Sequence, residues 1–379
     1  MKKKLNIVMF GHKRIPSREG GIEIVVKELS TRMVEMGYDV TCYNRGGHHI
    51  SGVQFDAFMK YDSVLSNSYK GVKLQKVWTI NYKGLAAITS SFAAAWKASI
   101  GNCNVVHIHA EGPAAMSWLP KLRHKKVIVT IHGLDWAREK WGSLATHYIK
   151  FGEKMAVKYA DEIIVLSHEI QKYFKSVYGR ETVVLSNGVS RPKIRDANEI
   201  RKLWKLEKDS YVLFLGRIVP EKGLRYLIEA WKGIKTDRKL VIAGGSSDTD
   251  KFVKELKKIA NVDVIFTGFI QGRILEELYS NAYIYCLPSD IEGMPLSLLE
   301  AMSYGNCCLV SSIPECVEVV EDKAIVFKKS NVTDLREKLQ ELLEDKERVI
   351  KYKRNAADFI CKKYTWDDVV RKTVEIYKN

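Results

Sequence analysis

The sequence predicts an α/β protein made of two doubly wound domains, each a parallel sheet covered by helices. Three observations point there. A chain of 379 residues exceeds what one ordinary core fills and suits two domains of about 150–200 residues each. Short β-branched runs alternate with helical patterns along its whole length, as parallel strands covered on both faces require. The alternation also starts afresh near residue 190, so one supersecondary pattern is written twice.

In the first half the strand candidates are Asn6–Phe10, Asp39–Tyr43, Lys73–Ile80, Val105–His109, Lys126–Ile131, Glu162–Leu166 and Thr182–Leu185. Between the first two, Ile22–Met36 has apolar residues at helical spacing and Gly37 as its stop signal. The second half offers Tyr211–Leu215, Lys239–Ala243, Asp263–Phe266, Ala282–Leu287, Cys307–Val310 and Ala324–Phe327. The stretch from Ser186 through Asn187-Gly188 to Asp209 is polar and reads as the linker. Strands of such domains end toward a shared cleft, and ligands bind at the loops beyond those ends.

Composition narrows the function classes. The chain is 46% hydrophobic and 28% charged, with no low-complexity tract and no solenoid period. Its net charge of +16 is uneven: residues 1–190 hold 27 Lys and Arg against 15 Asp and Glu. Such a field attracts a polyanion or an anionic membrane surface, unless it merely reflects lysines on a solvated surface. No nucleic-acid-binding motif accompanies it. Seven cysteines, with no C-x-x-C, suit buried thiols in a reducing cytosol. Met1-Lys-Lys-Lys4 and the short apolar run after it read as a first strand, not a signal peptide. Leu85–Ile100 is too short and too polar to cross a bilayer. The expected location is the cytoplasm, either free or at the inner face of the cell membrane.

The loop after Tyr211–Leu215 reads Gly216-Arg217-Ile-Val-Pro-Glu-Lys222-Gly223, followed by the amphipathic Leu224–Trp231. A glycine turn and two cations between a strand and a helix suit a diphosphate: Arg offers a planar fork and Lys a movable point charge. The plainer reading is a solvated loop with incidental cations. Further on, Glu292-Gly-Met-Pro-Leu-Ser-Leu-Leu-Glu300 follows the strand Ala282–Leu287. Pro295 suits the first helical turn, and the helix Leu296–Tyr304 stops at Gly305. Both glutamates then flank a helix N-terminus, where carboxylates accept from sugar and ribose hydroxyls.

These two segments resemble the G-R-x-x-x-x-K-G and E-x7-E motifs of glycosyltransferase family 4, which has the GT-B fold of two facing Rossmann-like domains. The resemblance implies a retaining, metal-independent transferase in which Arg217 and Lys222 neutralise a donor diphosphate. It places Glu292 on the transferred sugar and Glu300 on the ribose. Gly216, Gly293, Met294, Pro295 and Leu296 would line the sugar and phosphate positions. No cofactor is implied, since the nucleotide-diphosphate sugar is a substrate.

The first half matches more loosely. Gly20-Gly21 before the first helix allows close backbone approach, or makes a plain tight turn. In the family this loop lies over the donor phosphates. Lys13, Arg14 and Arg18 beside it could meet a phosphorylated acceptor or sit on an exposed loop. His132-Gly133-Leu134-Asp135 ends the strand Lys126–Ile131 and resembles the family's T-x-H-G/D segment. That implies a place for His132 beside the reacting sugar, with Asp135 on the acceptor side. Asn187-Gly188 resembles the family's interdomain turn. The catalytic set so implied is His132, Arg217, Lys222 and Glu292.

Residues 12–23 also resemble bacterial rhamnosyltransferases of capsule and cell-wall polysaccharide assembly, implying a UDP- or dTDP-sugar and a glycan or lipid-linked acceptor. A transferase making a soluble glycoside, or a nucleotide-sugar sensor without turnover, are the alternatives. Asp248-Thr-Asp250 has the D-x-D form of metal-dependent transferases of another fold, but acidic residues opening a helix explain it. Lys121-Leu-Arg-His-Lys-Lys126 is a basic loop suited to a membrane or simply to solvent. The expected domains are 1–190, acceptor-binding; 191–362, donor-binding; and 363–379, a helix capped by Thr365 that returns to the first domain.

Overall fold

The computed structural model describes residues 5–46, 67–82, 84–137, 143–246 and 249–379. The chain forms two compact units: Met1–Asn187 with Trp366–Asn379, and Gly188–Thr365.

The first unit carries an eight-stranded sheet in the order β3-β4-β2-β1-β5-β6-β7-β8. Its strands are β1 (Asn6–Phe10), β2 (Asp39–Arg45), β3 (Ser68–Tyr69), β4 (Val72–Val77), β5 (Val105–His109), β6 (Lys126–Ile131), β7 (Glu162–Val165) and β8 (Val183–Val184). Every pairing is parallel except β3 with β4, a short edge hairpin that the sequence pattern did not reveal. β4 ends at Val77, so Trp78–Ile80 leave the strand expected to contain them. The central strands are buried on both faces, which is why they read as unbroken apolar runs. Their side chains pack with Ala94, Ala95 and Ala98 of the helix Leu85–Ile100 in one core.

Chain order in this sheet reverses between β1 and β5. Gly11 marks the turn there: its φ of +108° and a phantom Cβ only 2.1 Å from the His109 carbonyl oxygen admit no side chain. The C-terminal helix Trp366–Lys378 buries Trp366, Val369, Val370, Val374 and Tyr377. Within this unit Arg32 Nη1 donates to Asp367 (2.7 Å), and Lys126 Nζ donates to the Ile376 carbonyl (2.7 Å).

The second unit is a six-stranded parallel sheet, β11-β10-β9-β12-β13-β14. These are β9 (Tyr211–Leu215), β10 (Lys239–Ala243), β11 (Val264–Gly268), β12 (Ile284–Leu287), β13 (Cys307–Ser311) and β14 (Ile325–Phe327). The order 3-2-1-4-5-6 is that of a doubly wound nucleotide-binding sheet, with its reversal between β9 and β12. All seven cysteines are free thiols, six of them buried.

Candidate functional site

In the second unit the two loops at the reversal point are laced together. The loop after β9 turns through a single 3-10 turn, Pro220–Lys222, into Gly223 in the left-handed region (φ +67°). A Cβ on Gly223 would lie 1.9 Å from the Pro288 carbonyl oxygen, so glycine alone lets this turn seat on the end of β12. The Asp290 N–H donates to the Glu221 carbonyl at 2.9 Å. On the other side, Gly216 and Ile218 donate to Ala243 and Gly245, and Gly244 lies where a Cβ would strike the Gly216 carbonyl.

This lacing brings Lys222 to Glu292. Lys222 Nζ and Glu292 Oε1 form an ion pair with side chains only 13% and 9% exposed. Ser289 Oγ donates to the same carboxylate oxygen (2.6 Å), and the Ser289 carbonyl accepts from Ser311 Oγ. Arg217 is half-buried on the same loop. Glu300 accepts from Tyr279 Oη at 3.3 Å on the helix Leu296–Ser303, and Tyr279 stacks on Tyr304 with ring centroids 5.1 Å apart.

Pro295 corrects one expectation. It precedes the first helical turn as N-cap, in an extended conformation (φ −76°, ψ 98°), because its carbonyl already accepts from the N–H groups of Leu298 and Leu299. Gly293, Met294 and Pro295 are buried and Leu296 half-buried, a packed approach to the helix N-terminus. The sequence reading assigned nothing to Glu221, which is buried with neither carboxylate oxygen hydrogen-bonded. Asp248 lies outside the described residues. Asp250 heads the helix Asp250–Ile259 and accepts from Ser246 Oγ.

The reversal point of the first unit has a different chemistry. His107 and His109 end β5, stacked with ring centroids 4.1 Å apart. His107 Nδ1 meets Tyr377 Oη (2.6 Å) and its Nε2 meets Thr130 Oγ1 (2.7 Å). His109 Nδ1 meets His132 Nε2 at 3.1 Å, while His109 Nε2 is buried without a hydrogen bond. His12, after β1, contacts Asn44 Oδ1 through Nε2 (2.9 Å). Burial pushes His107 down to about 3 and His12 down to about 4, and holds His109 well below the usual imidazole range. These rings stay neutral at pH 7.

Next to them, His132-Gly133-Leu134 runs into a 3-10 turn at Asp135. The Asp135 N–H donates to Glu111 Oε2 (2.8 Å). Burial, then Asp135 and Glu153 nearby, hold the Glu111 carboxyl well above the usual carboxylate range. Glu153 is also buried but accepts from Trp136 Nε1 (2.8 Å), Tyr173 Oη (3.0 Å) and Tyr178 Oη (2.7 Å).

The Lys13–Arg18 loop is folded in, not exposed. Asn44 brackets Ile15 through both its N–H and its carbonyl (3.1 Å each). Buried Glu19 accepts from Arg14 Nε (2.8 Å) and Lys13 Nζ (3.4 Å), and Glu23 accepts from the Lys13 N–H (2.9 Å). A Cβ on Gly20 would come within 2.7 Å of Glu23 Oε2, at the tip of a side chain, while Gly21 begins the helix Gly21–Glu35. Arg18 is half-buried beside them. The His107-x-His109 spacing at a strand's end was the sequence signal for the cluster. Glu111 and Glu153 left none, since isolated acids in helical segments are commonplace.

Among known proteins, residues 196–359 match the family model described as Glycosyl transferases group 1, and residues 19–191 match Glycosyltransferase Family 4. An uncharacterized glycosyltransferase of Methanocaldococcus jannaschii is 24% identical over 99% of this chain and 98% of its own. The N,N'-diacetylbacillosaminyl-diphospho-undecaprenol alpha-1,3-N-acetylgalactosaminyltransferase of Campylobacter jejuni is 29% identical over 54% of this chain and 57% of its own. Among solved structures, Anabaena HepE in complex with UDP and glucose superposes with a TM-score of 0.81 at 14% identity, covering 99% of both chains. With the two family models covering nearly the whole length, the chain belongs to the family 4 glycosyltransferases of GT-B fold.

Proposed function

We propose that the chain moves a sugar from a UDP- or dTDP-linked donor to a glycan or lipid-linked acceptor in bacterial surface polysaccharide synthesis, retaining the anomeric configuration. The observation that carries this reading is the Lys222–Glu292 pair at the reversal point of the second sheet. A largely buried ammonium held on a carboxylate is a stored site for a diphosphate and a hydroxyl. The phosphate oxygens take Lys222, and a sugar hydroxyl donates to the Glu292 oxygen that Lys222 releases. Glu300, anchored by Tyr279, sits eight residues on at the helix that would receive the ribose.

In the reaction the acceptor oxygen attacks the anomeric carbon on the face the diphosphate leaves. The C–O bond to phosphate breaks as the new glycosidic bond forms, and the acceptor proton passes to the leaving diphosphate oxygen. Arg217 and Lys222 stabilise the charge that grows there, so the cations belong to the chain and no divalent metal is called for. Glu292 positions the sugar without bonding to it. His132, held by His109, contributes its imidazole to the sugar side, with Gly20 and Gly21 over the phosphates. Lys13, Arg14, Arg18 and Asp135 face the acceptor, the first two only after exchanging Glu19 for it. The lipid-linked acceptor is supported by the Campylobacter relative, whose name carries a diphospho-undecaprenol group.

A thermal-shift panel of nucleotides and nucleotide sugars tests this directly. One uridine or thymidine diphosphate sugar should raise Tm, and the free diphosphate should be released when a polyprenyl-diphosphate glycan is added. A shift without release marks a sensor, and no shift with any nucleotide removes the donor site.

A further inference from the structure

Among its described residues, the first unit displays an exposed apolar face. On the helix Leu85–Ile100, Leu85, Phe92, Trp96 and Ile100 are exposed, Phe92 by 45%, Trp96 by 52% and Ile100 by 61%. Steps of seven, four and four residues set them along one stripe of an α-helix, while Ala86, Ala94, Ala95 and Ala98 face the core. At one end of the helix the chain leaving β4 adds Trp78 (64% exposed), Ile80 and Tyr82 (67% exposed). At the other end the helix Trp118–Leu122 packs alongside and exposes Leu122 by 65%. Lys125 Nζ bonds the Gly101 carbonyl (2.7 Å), fixing the basic loop beside Ile100.

Along the stretch of chain that builds this face the charge is one-sided. From residue 63 to residue 134 the only acidic residue is Glu111, which is fully buried, against nine Lys and Arg. Lys73, Lys76 and Arg123 are exposed, as is Lys97, whose ammonium lies 5.5 Å over the Tyr43 ring beside the stripe. In the basic loop Lys121 is paired with Asp161. No helix among the described residues is long and apolar enough to cross a membrane.

We propose that this face docks on an anionic lipid bilayer, with the Leu85–Ile100 helix lying in the interface plane. The Trp, Tyr and Phe rings enter the headgroup boundary, where amphipathic rings sit best, and the lysines meet the lipid phosphates. A protein partner would need acids to match these cations, whereas a bilayer supplies negative charge and apolar depth together. The face adds a partner to the transferase reading and does not depend on the donor site.

Flotation of the whole chain with phosphatidylcholine vesicles, with and without phosphatidylglycerol, reads the proposal. Binding is expected only with the anionic lipid, weakening as salt rises. Phe92→Gln with Trp96→Gln should lower partitioning about tenfold or more at an unchanged Tm. Lys73→Gln, Lys76→Gln and Arg123→Gln together should lower it and flatten its salt dependence. If the helix variant does not fold, Trp78→Gln with Tyr82→Gln carries the same expectation. The donor-induced thermal shift stays in every folded variant, which keeps failure here distinct from failure of the donor site. Absence of vesicle binding, equal binding by the stripe variants, or a solution dimer that those variants dissociate would each overturn the proposal.

Discussion

The two sheets reverse their strand order at equivalent points, yet the residues gathered there are opposite in kind. In the second unit the site is an ion pair, Lys222 on Glu292, with both side chains largely buried. In the first unit it is a set of buried groups: His12, His107 and His109, kept neutral by burial, with Glu111 beside them, its carboxyl held well above the usual carboxylate range. All nine histidines of the chain lie in its first 168 residues. The same topology therefore supports two electrostatic solutions. On the proposed reading the ion pair awaits a charged ligand that can exchange partners with it, whereas the neutral histidines offer orientation and hydrogen bonds without attracting charge.

The contrast is most easily broken at the pair. Lys222→Ala leaves Glu292 largely buried and without its cation, which costs about 3 kcal/mol of stability. On the proposed mechanism it also removes the donor to the leaving diphosphate, worth on the order of 10²–10³ in turnover. Lys222→Met with Glu292→Gln should recover most of the lost Tm and none of the activity, read by calorimetry and by release of nucleoside diphosphate. If the double variant turns over sugar, the pair is structural. Gly223→Ala is the next largest effect. Its left-handed φ and the Pro288 carbonyl 1.9 Å from the new Cβ force the loop off β12, at a cost of about 1–3 kcal/mol. The nucleotide-induced thermal shift should vanish while the first unit's amide-exchange pattern stays unchanged.

pH separates the units more finely. Each cluster histidine has a folded pKa below its unfolded value of 6.5, so the unfolded chain takes the proton first as pH falls. Its contribution is complete above 6.5 and shrinks on acidification by about 1.4 kcal/mol per pH unit. Glu111 runs the other way: its folded pKa lies above the ordinary 4.5, so it costs stability as pH rises past 4.5. Between about 4.5 and 6.5, three histidines outweigh one glutamic acid, and the first unit loses stability on acidification. In the second unit, burial of Glu277 is outweighed by bonds from the Ile200, Asn198 and Glu199 N–H groups and from Arg273, which hold its pKa low and its stabilising charge down past 4.5. Hydrogen exchange at about pH 7 and about pH 5 should show faster opening of β5 and β6 at the lower pH, with β9 and β12 unchanged. Equal loss in both units would mean that the histidines are not neutral.

The same contrast decides what could be read from the sequence. Both sheets were legible because buried parallel strands are written as continuous apolar runs, although the two-residue β3 and the early end of β4 escaped. The ion pair was legible because its residues lie on two contiguous loops whose glycines and proline are demanded by backbone geometry. The buried histidine cluster was only partly legible: His107-x-His109 and Glu111 follow one another at the end of β5, but His12, His132 and Glu153 come from separate segments with no spacing that ties them to it. Lys13 and Arg14 were read as open cations because nothing local shows that Glu19 folds back onto them. The apolar stripe from Leu85 to Ile100 was written plainly but weighed only as a membrane span, the one role for which its length and serines disqualify it.

The smallest effect belongs to His109, which touches His132 and need touch no substrate. Its Nδ1 and His132 Nε2 share one proton across 3.1 Å, so His109 fixes which way His132 faces and which nitrogen His132 leaves for a ligand. An asparagine amide can occupy the Nδ1 position, whereas alanine cannot. His109→Ala should lower kcat about tenfold with little change in KM, and His109→Asn should restore most of it. A loss confined to KM would place His132 in binding alone. Equal losses in both variants would mean that the buried stack on His107 is what counts, and that the cluster is a core packed with imidazoles. A loss as large as that of Lys222→Ala would erase the distinction between the units, since an orienting contact cannot cost as much as the cation that meets the leaving group unless His132 itself carries the proton.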